Sequence, residues 1–319
     1  MFRLISGGAL SLLALAALLL WPSEAMDGVR AALAVCADVI IPSLFPFFVL
    51  GSAVTELGLP QRLGKALSGP MSKLFGVSGA GASAFVIGIL GGYPLGASTV
   101  SGLVVRGAAS RSEGERLLGF CNNSGPAFLV GAAGVGVFGS VRAGMALYAC
   151  HVLAAVTAGV LMRGKRLSAA VSALPAGDLP EPGALARAVT SSVKNILAVC
   201  GFVTVFSSVT AALDASGLLG RLSGELAVRT GMELGASRAL LTGFFEIGGG
   251  ISALRGCSPT RLNFAVCALI IGWGGVSVHM QTASAAAPAK LKAARHFAGR
   301  LLSAVFSAAY AFLLWPAAF

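Results

Sequence analysis

Glu246 stands in the run Phe244-Phe245-Glu246-Ile247-Gly248-Gly249-Gly250, inside a stretch apolar enough to lie in a bilayer. A carboxylate at that depth costs about 2.5–3.5 kcal/mol on insertion scales, and consecutive glycines break the helix that carries it. Both costs are tolerable where the segment lines a polar cavity. The residues leave three partners open for Glu246: an incoming cation, a proton, or the backbone amides of the glycine turn. An earlier apolar stretch is broken in the same way at Gly91-Gly92-Tyr93-Pro94. Two more interruptions follow the same logic: Cys121-Asn122-Asn123-Ser124-Gly125-Pro126, and Gly272-Trp273-Gly274-Gly275 with Ser277, His279 and Gln281 just beyond it. A helix unwound in mid-membrane exposes amide donors on one half and carbonyl acceptors on the other, with partial charges of about half an electron. Such ends, brought together, suit a small polar molecule. The expected binding set is therefore Gly91, Gly92, Tyr93, Asn122, Asn123, Ser124, Glu246, Gly248, Gly249, Trp273, Gly274, Ser277, His279 and Gln281. Asparagine and serine also join membrane helices simply by hydrogen bonding, and Trp273 could anchor at an interface. No catalytic set is expected, because His151, His279 and His296 are scattered and no nucleophile motif occurs. No metal site or cofactor is expected either. The six cysteines lack paired spacing, and a coupling proton or sodium ion is the only small partner besides the substrate.

The elements that must position these residues are membrane helices. Of 319 residues 56% are hydrophobic and 11% charged, with a mean hydropathy of +0.86. That leaves too little polar surface for a soluble domain. The net charge of +11 sits mostly in short loops between apolar runs, which points to orientation in a lipid bilayer rather than to nucleic acid.

Seven spans and two hairpins are expected. Residues 4–21 form a first span after Arg3, although Ser23-Glu24-Ala25 also has the small residues of a signal-cleavage site. A span over 31–57 contains Pro42 and Pro46 and should bend. Residues 60–67 and 70–75 are short, basic and amphipathic, and read as helices in the interface plane. The runs 80–90 and 95–105 are each too short to cross. With Lys73 before them and Arg106, Arg111 and Arg116 after, they read as a re-entrant hairpin entered from the cytoplasm. Residues 112–138 form a span unwound at Asn122–Pro126, and 143–162 a span ending at Arg163-Gly164-Lys165-Arg166. After a polar linker the order recurs: a span over 188–213, a surface helix over 217–231, a second interrupted segment over 236–256, a span over 260–285 broken at Gly272–Gly275, and a last span over 297–315. The fold expected is an all-α polytopic membrane protein of two inverted repeats, each with a re-entrant hairpin and a broken helix. Its parts are an N-terminal helix over 1–27, a first repeat over 28–166, a linker over 167–186 and a second repeat over 187–319, with the N-terminus cytoplasmic.

The stretches Ile41-Pro42-Ser43-Leu44-Phe45-Pro46-Phe47, Gly91–Ala97, Phe120–Phe128 and Gly272–His279 together resemble the sporulation integral membrane protein YlbJ (SpoVV) family. That family's broader relatives carry the nucleoside-recognition Gate domain and are remotely similar to concentrative nucleoside transporters. The resemblance covers nearly the whole chain. It implies a role in endospore formation, moving the small anion dipicolinic acid from the mother cell across the outer forespore membrane. A nucleoside-type carrier and a non-transporting scaffold for spore assembly are the alternatives it leaves. A homo-oligomer is compatible with either.

Overall fold

The computed structural model describes Leu12 and residues 14–56, 59–164 and 183–319. Half of the expected first span over 4–21 and most of the expected linker over 167–186 lie outside the described residues. Among the described residues the chain is helical throughout, and five helices are long and apolar enough to cross a membrane. These match the expected spans at 31–57, 143–162, 188–213, 260–285 and 297–315.

The first of the five differs from expectation at its start. Helix α1 (Pro22–Val35) begins ahead of residue 31, with Pro22 placed where its missing N–H and fixed φ cost nothing. It runs without interruption through a π-helical turn, Cys36–Ile40, into α2 (Ile41–Glu56). The widened turn falls just before Pro42, which cannot donate to the carbonyl one turn back. Helix α3 (Leu59–Pro70) and a π-helical turn over Met71–Phe75 follow, closed by Gly76 at φ +66°.

Helices α4 (Gly81–Gly91) and α5 (Leu95–Val105) fold back on each other around Gly92, whose φ of +82° demands glycine. Helix α6 (Arg111–Cys121) starts at Ser110, whose hydroxyl accepts from the Glu113 amide. Glu113 itself accepts from the amide of Ser78 at 2.5 Å, fastening the loop before α4 to α6. The helix stops at Asn122. After a non-helical link the chain resumes as a π-helical stretch, Phe128–Val135, ending in the short α7 (Gly136–Phe138). The expected span over 112–138 is thus two short helices around a break. Helix α8 (Val141–Leu161) packs back along that stretch, with Gly134 and Gly144 in backbone contact.

The second half opens with the long α9 (Ala184–Ala215) and the surface helix α10 (Leu218–Thr230). Helices α11 (Leu234–Phe245) and α12 (Ile247–Ala253) reverse at Glu246, and Gly243 packs on Gly250. The open end of this pair is tied by Glu233, which accepts from Asn263 Nδ2 and from the amide and hydroxyl of Ser258. Those donors, led by Asn263, hold the Glu233 carboxyl below its ordinary range. Helix α13 (Arg261–Trp273) breaks at Gly274, with φ +85°, and continues as α14 (Gly275–Ala286). Helix α15 (Ala294–Ala318) closes the fold.

Burial separates centre from rim. Within its most apolar window the α13–α14 run is 78% buried, against 11% for the α1–α2 run, so the broken helix is central and the α1–α2 run faces outward. One core gathers Leu129, Leu147, Phe264 and Ile270, and a second gathers Phe75, Phe85 and Phe120, whose first and last rings stack at 4.7 Å. Helices α1, α2 and α9 close a third cluster at the side of the molecule.

Candidate functional site

The four interruptions seen in the sequence meet. Gly92 lies against Gly125, and a methyl group added to Gly92 would come within 2.9 Å of the Gly125 nitrogen. Gly275 lies in the same way against Phe245, Glu246 and Ile247, at the tip of the α11–α12 hairpin. Tyr93 joins the two pairs, since its hydroxyl touches Gly274 and sits 3.3 Å from the Ile271 carbonyl. Each hairpin tip therefore wraps the break in one of the interrupted helices. Glycines are required there because backbone packs directly on backbone.

Beside this junction is a cavity of about 370 Å³, closed on its far side by α1, α2 and α9. Of the expected binding residues, Tyr93, Ser124, Glu246, Gly248, Gly249 and Gln281 line it. Thr242, Ser252 and Arg255 add polar groups that the sequence reading did not select, and the frame helices contribute mainly apolar side chains such as Val35, Val199 and Val203. Glu246 is 3% exposed. Its two carboxylate oxygens cap the first turn of α12, accepting from the amides of Gly248 at 2.8 Å and Gly249 at 2.6 Å. Of the partners left open by the sequence, the glycine amides are the ones engaged.

The other expected residues stand behind the cavity wall. Asn122 accepts from the Ala97 amide at 3.2 Å and donates to Thr282 Oγ1 at 2.7 Å, so one side chain ties α5, the α6 break and α14. Asn123 donates to the Phe120 carbonyl at 2.8 Å. Trp273 donates its indole N–H to the Phe244 carbonyl at 3.0 Å and stacks on Phe244. His279 lies against Trp273, with ring centroids 4.3 Å apart, and against His296 at 5.0 Å. Ser277 is fully buried, and among the described residues its hydroxyl has no partner. Gly91 packs on Leu95, while Gly92 and Gly274 serve the close approaches already described.

The largest omission from the sequence reading is Arg300, which falls within the expected last span over 297–315 and was not selected as a binding residue. It is 0% exposed and lies well inside α15. Its Nη1 donates to Tyr93 Oη at 2.9 Å, and its Nη2 to Asn123 Oδ1 at 3.3 Å and Ser303 Oγ at 2.7 Å. Among the described residues no carboxylate pairs with it, although burying an uncompensated cation costs several kcal/mol. One signal could have found it: the apolar run that makes the last span begins at Phe297, so Arg300 is a charge within the span rather than ahead of it. His151 was also passed over. Its Nε2 accepts from the Ser124 amide at 3.0 Å, satisfying a donor that the α6 break would leave orphaned.

Comparison with known proteins fits this architecture. No family model and no solved structure matches the chain. It is 30% identical to the sporulation integral membrane protein YlbJ of Bacillus subtilis, an alignment covering 92% of this chain and 78% of the relative. With five helices long and apolar enough to cross a membrane, and that identity sustained over nearly its whole length, the chain belongs to the YlbJ family of sporulation integral membrane proteins.

Proposed function

We propose that this protein is a carrier of the sporulating cell that moves a small anionic metabolite, dipicolinic acid, from the mother cell across the outer forespore membrane by alternating access. The observation that carries the reading is the cavity of about 370 Å³ bounded by two hairpin tips and two broken helices on one side and by continuous helices on the other. A pocket set between a group of short interrupted helices and a frame of long ones can open to either side when one group rocks against the other. In this reading the segments 28–166 and 187–319 are inverted repeats, and each hairpin re-enters the side it came from. Seven spans result, and the N-terminus is cytoplasmic. The chemistry is binding and release rather than catalysis, with Tyr93 offering a ring face to a flat aromatic dianion and Ser124 and Gln281 offering neutral polar groups.

Glu246 would repel a dianion if it stayed ionised and in place. The carrier reading therefore gives it the coupling ion: a proton or sodium ion neutralises the carboxylate, loosens its hold on Gly248 and Gly249, and frees those amides for a substrate carboxylate. Uptake into vesicles containing the purified chain, comparing dipicolinate, uridine and a simple dicarboxylate, tests the assignment. Saturable uptake of dipicolinate is expected, and Glu246→Gln should abolish its dependence on pH or sodium. Preference for uridine would favour a nucleoside carrier, and no uptake of any of the three a scaffold. A pH or sodium dependence that survives Glu246→Gln removes that residue from coupling.

A further inference from the structure

The buried cation at the centre of the molecule has only neutral partners. Each bond Arg300 makes, to Tyr93, Asn123 and Ser303, is one that a substrate carboxylate would outcompete, because a charge-assisted pair is stronger than a bond to a hydroxyl or amide. We propose that Arg300 is the anion-binding residue of a second, inner station, separated from the cavity by Tyr93, which takes one carboxylate of a planar aromatic dicarboxylate during transport. This proposal rests on the carrier reading and names the group in it that recognises charge.

Three observations support the assignment. Tyr93 bridges the two places, for the residue lines the cavity while its hydroxyl accepts from the guanidinium. It also sits at the tip of the α4–α5 hairpin, next to the positive-φ Gly92, so movement of that tip would uncover Arg300 without unfolding a helix. Finally, the surroundings hold unused hydrogen-bonding capacity. Among the described residues, His151 Nδ1, His279 Nε2 and His296 Nε2 are buried without partners, and all three imidazoles lie within electrostatic reach of Arg300. Buried polar atoms are normally satisfied, and these three imidazole nitrogens are hydrogen-bonding capacity that a ligand beside the cation could use. A guanidinium fork is suited to a carboxylate in a way that an ammonium is not.

The test is equilibrium binding to the purified full chain of dipicolinate and of picolinate, its monocarboxylate analogue. The wild type should prefer dipicolinate. Arg300→Lys and Arg300→Gln should each weaken dipicolinate binding by about tenfold and shrink its advantage over picolinate. Ser303→Ala, which releases one guanidinium bond to a competitor, should tighten dipicolinate by about threefold. Wild-type preference for dipicolinate with unchanged binding in both Arg300 variants overturns the inner station and leaves the carrier reading standing. Should the Arg300 variants not fold, unchanged or weaker binding in Ser303→Ala overturns it instead. A wild type that binds uridine but neither pyridine acid removes the carrier reading and this site together.

Discussion

Asn122 and Thr282 spend their side-chain hydrogen bonds on each other and on the backbone. The threonine hydroxyl donates to the Val278 carbonyl at 2.7 Å while accepting from Asn122 Nδ2, and the asparagine oxygen accepts from Ala97. An asparagine that could have served a ligand is thus committed to holding the broken helix of one half against that of the other. The pair should couple by about 0.5–1.5 kcal/mol in a double-mutant cycle of Asn122→Ala and Thr282→Val, read from unfolding in detergent. Strict additivity would mean the bond contributes nothing. Glu246 is the contrasting case at the same scale. Its acidic type and its glycine neighbours declared it in the sequence, whereas nothing in the residue types told Asn122 apart from Ser124, which does reach the cavity.

Among the elements, close backbone approach decides which glycines matter. A methyl group on Gly88 or Gly96 would lie 1.7 or 2.1 Å from the Cys121 carbonyl oxygen, because the α4–α5 hairpin straddles the end of α6. Neither backbone can yield without undocking the hairpin. Gly88→Ala should therefore abolish folded protein, judged by monodisperse elution after extraction. Gly224→Ala on the surface helix α10 meets nothing within 4 Å and should stabilise by up to about 1 kcal/mol through better helix propensity. Equal tolerance of both changes would mean that the hairpin does not dock against α6. The breaks at Gly92, Glu246 and Gly274 were legible from glycine, proline and charge within apolar runs. Their partners in space were not, since a break says where a helix ends and nothing about what fills the gap.

For the molecule as a whole, the inverted arrangement makes a geometric claim. If the two hairpins enter from opposite sides, Ser112 after the first and Pro259 after the second face opposite compartments, and both positions are exposed. Single cysteines there, with the half-buried Cys257 replaced by serine, should react with an impermeant maleimide from opposite sides of oriented vesicles. The other five native thiols are buried and should stay silent. Labelling of both positions from one side would rule out the inversion.

Apolar run length and the glycine, proline and acidic interruptions determined, from sequence alone, that this is a membrane protein and where its helices break. Those properties are local, set by how many residues can cross lipid and by which residues a helix tolerates. The three-dimensional packing decided which polar residue faces the cavity and which ties helices together, because that depends on helix rotation and on neighbours far apart in the chain. It also showed how completely Arg300 is enclosed. The apolar run from Phe297 places Arg300 within the last span, but only the wall of helices around it, set by residues far apart in the chain, shows that the charge is 0% exposed in this arrangement.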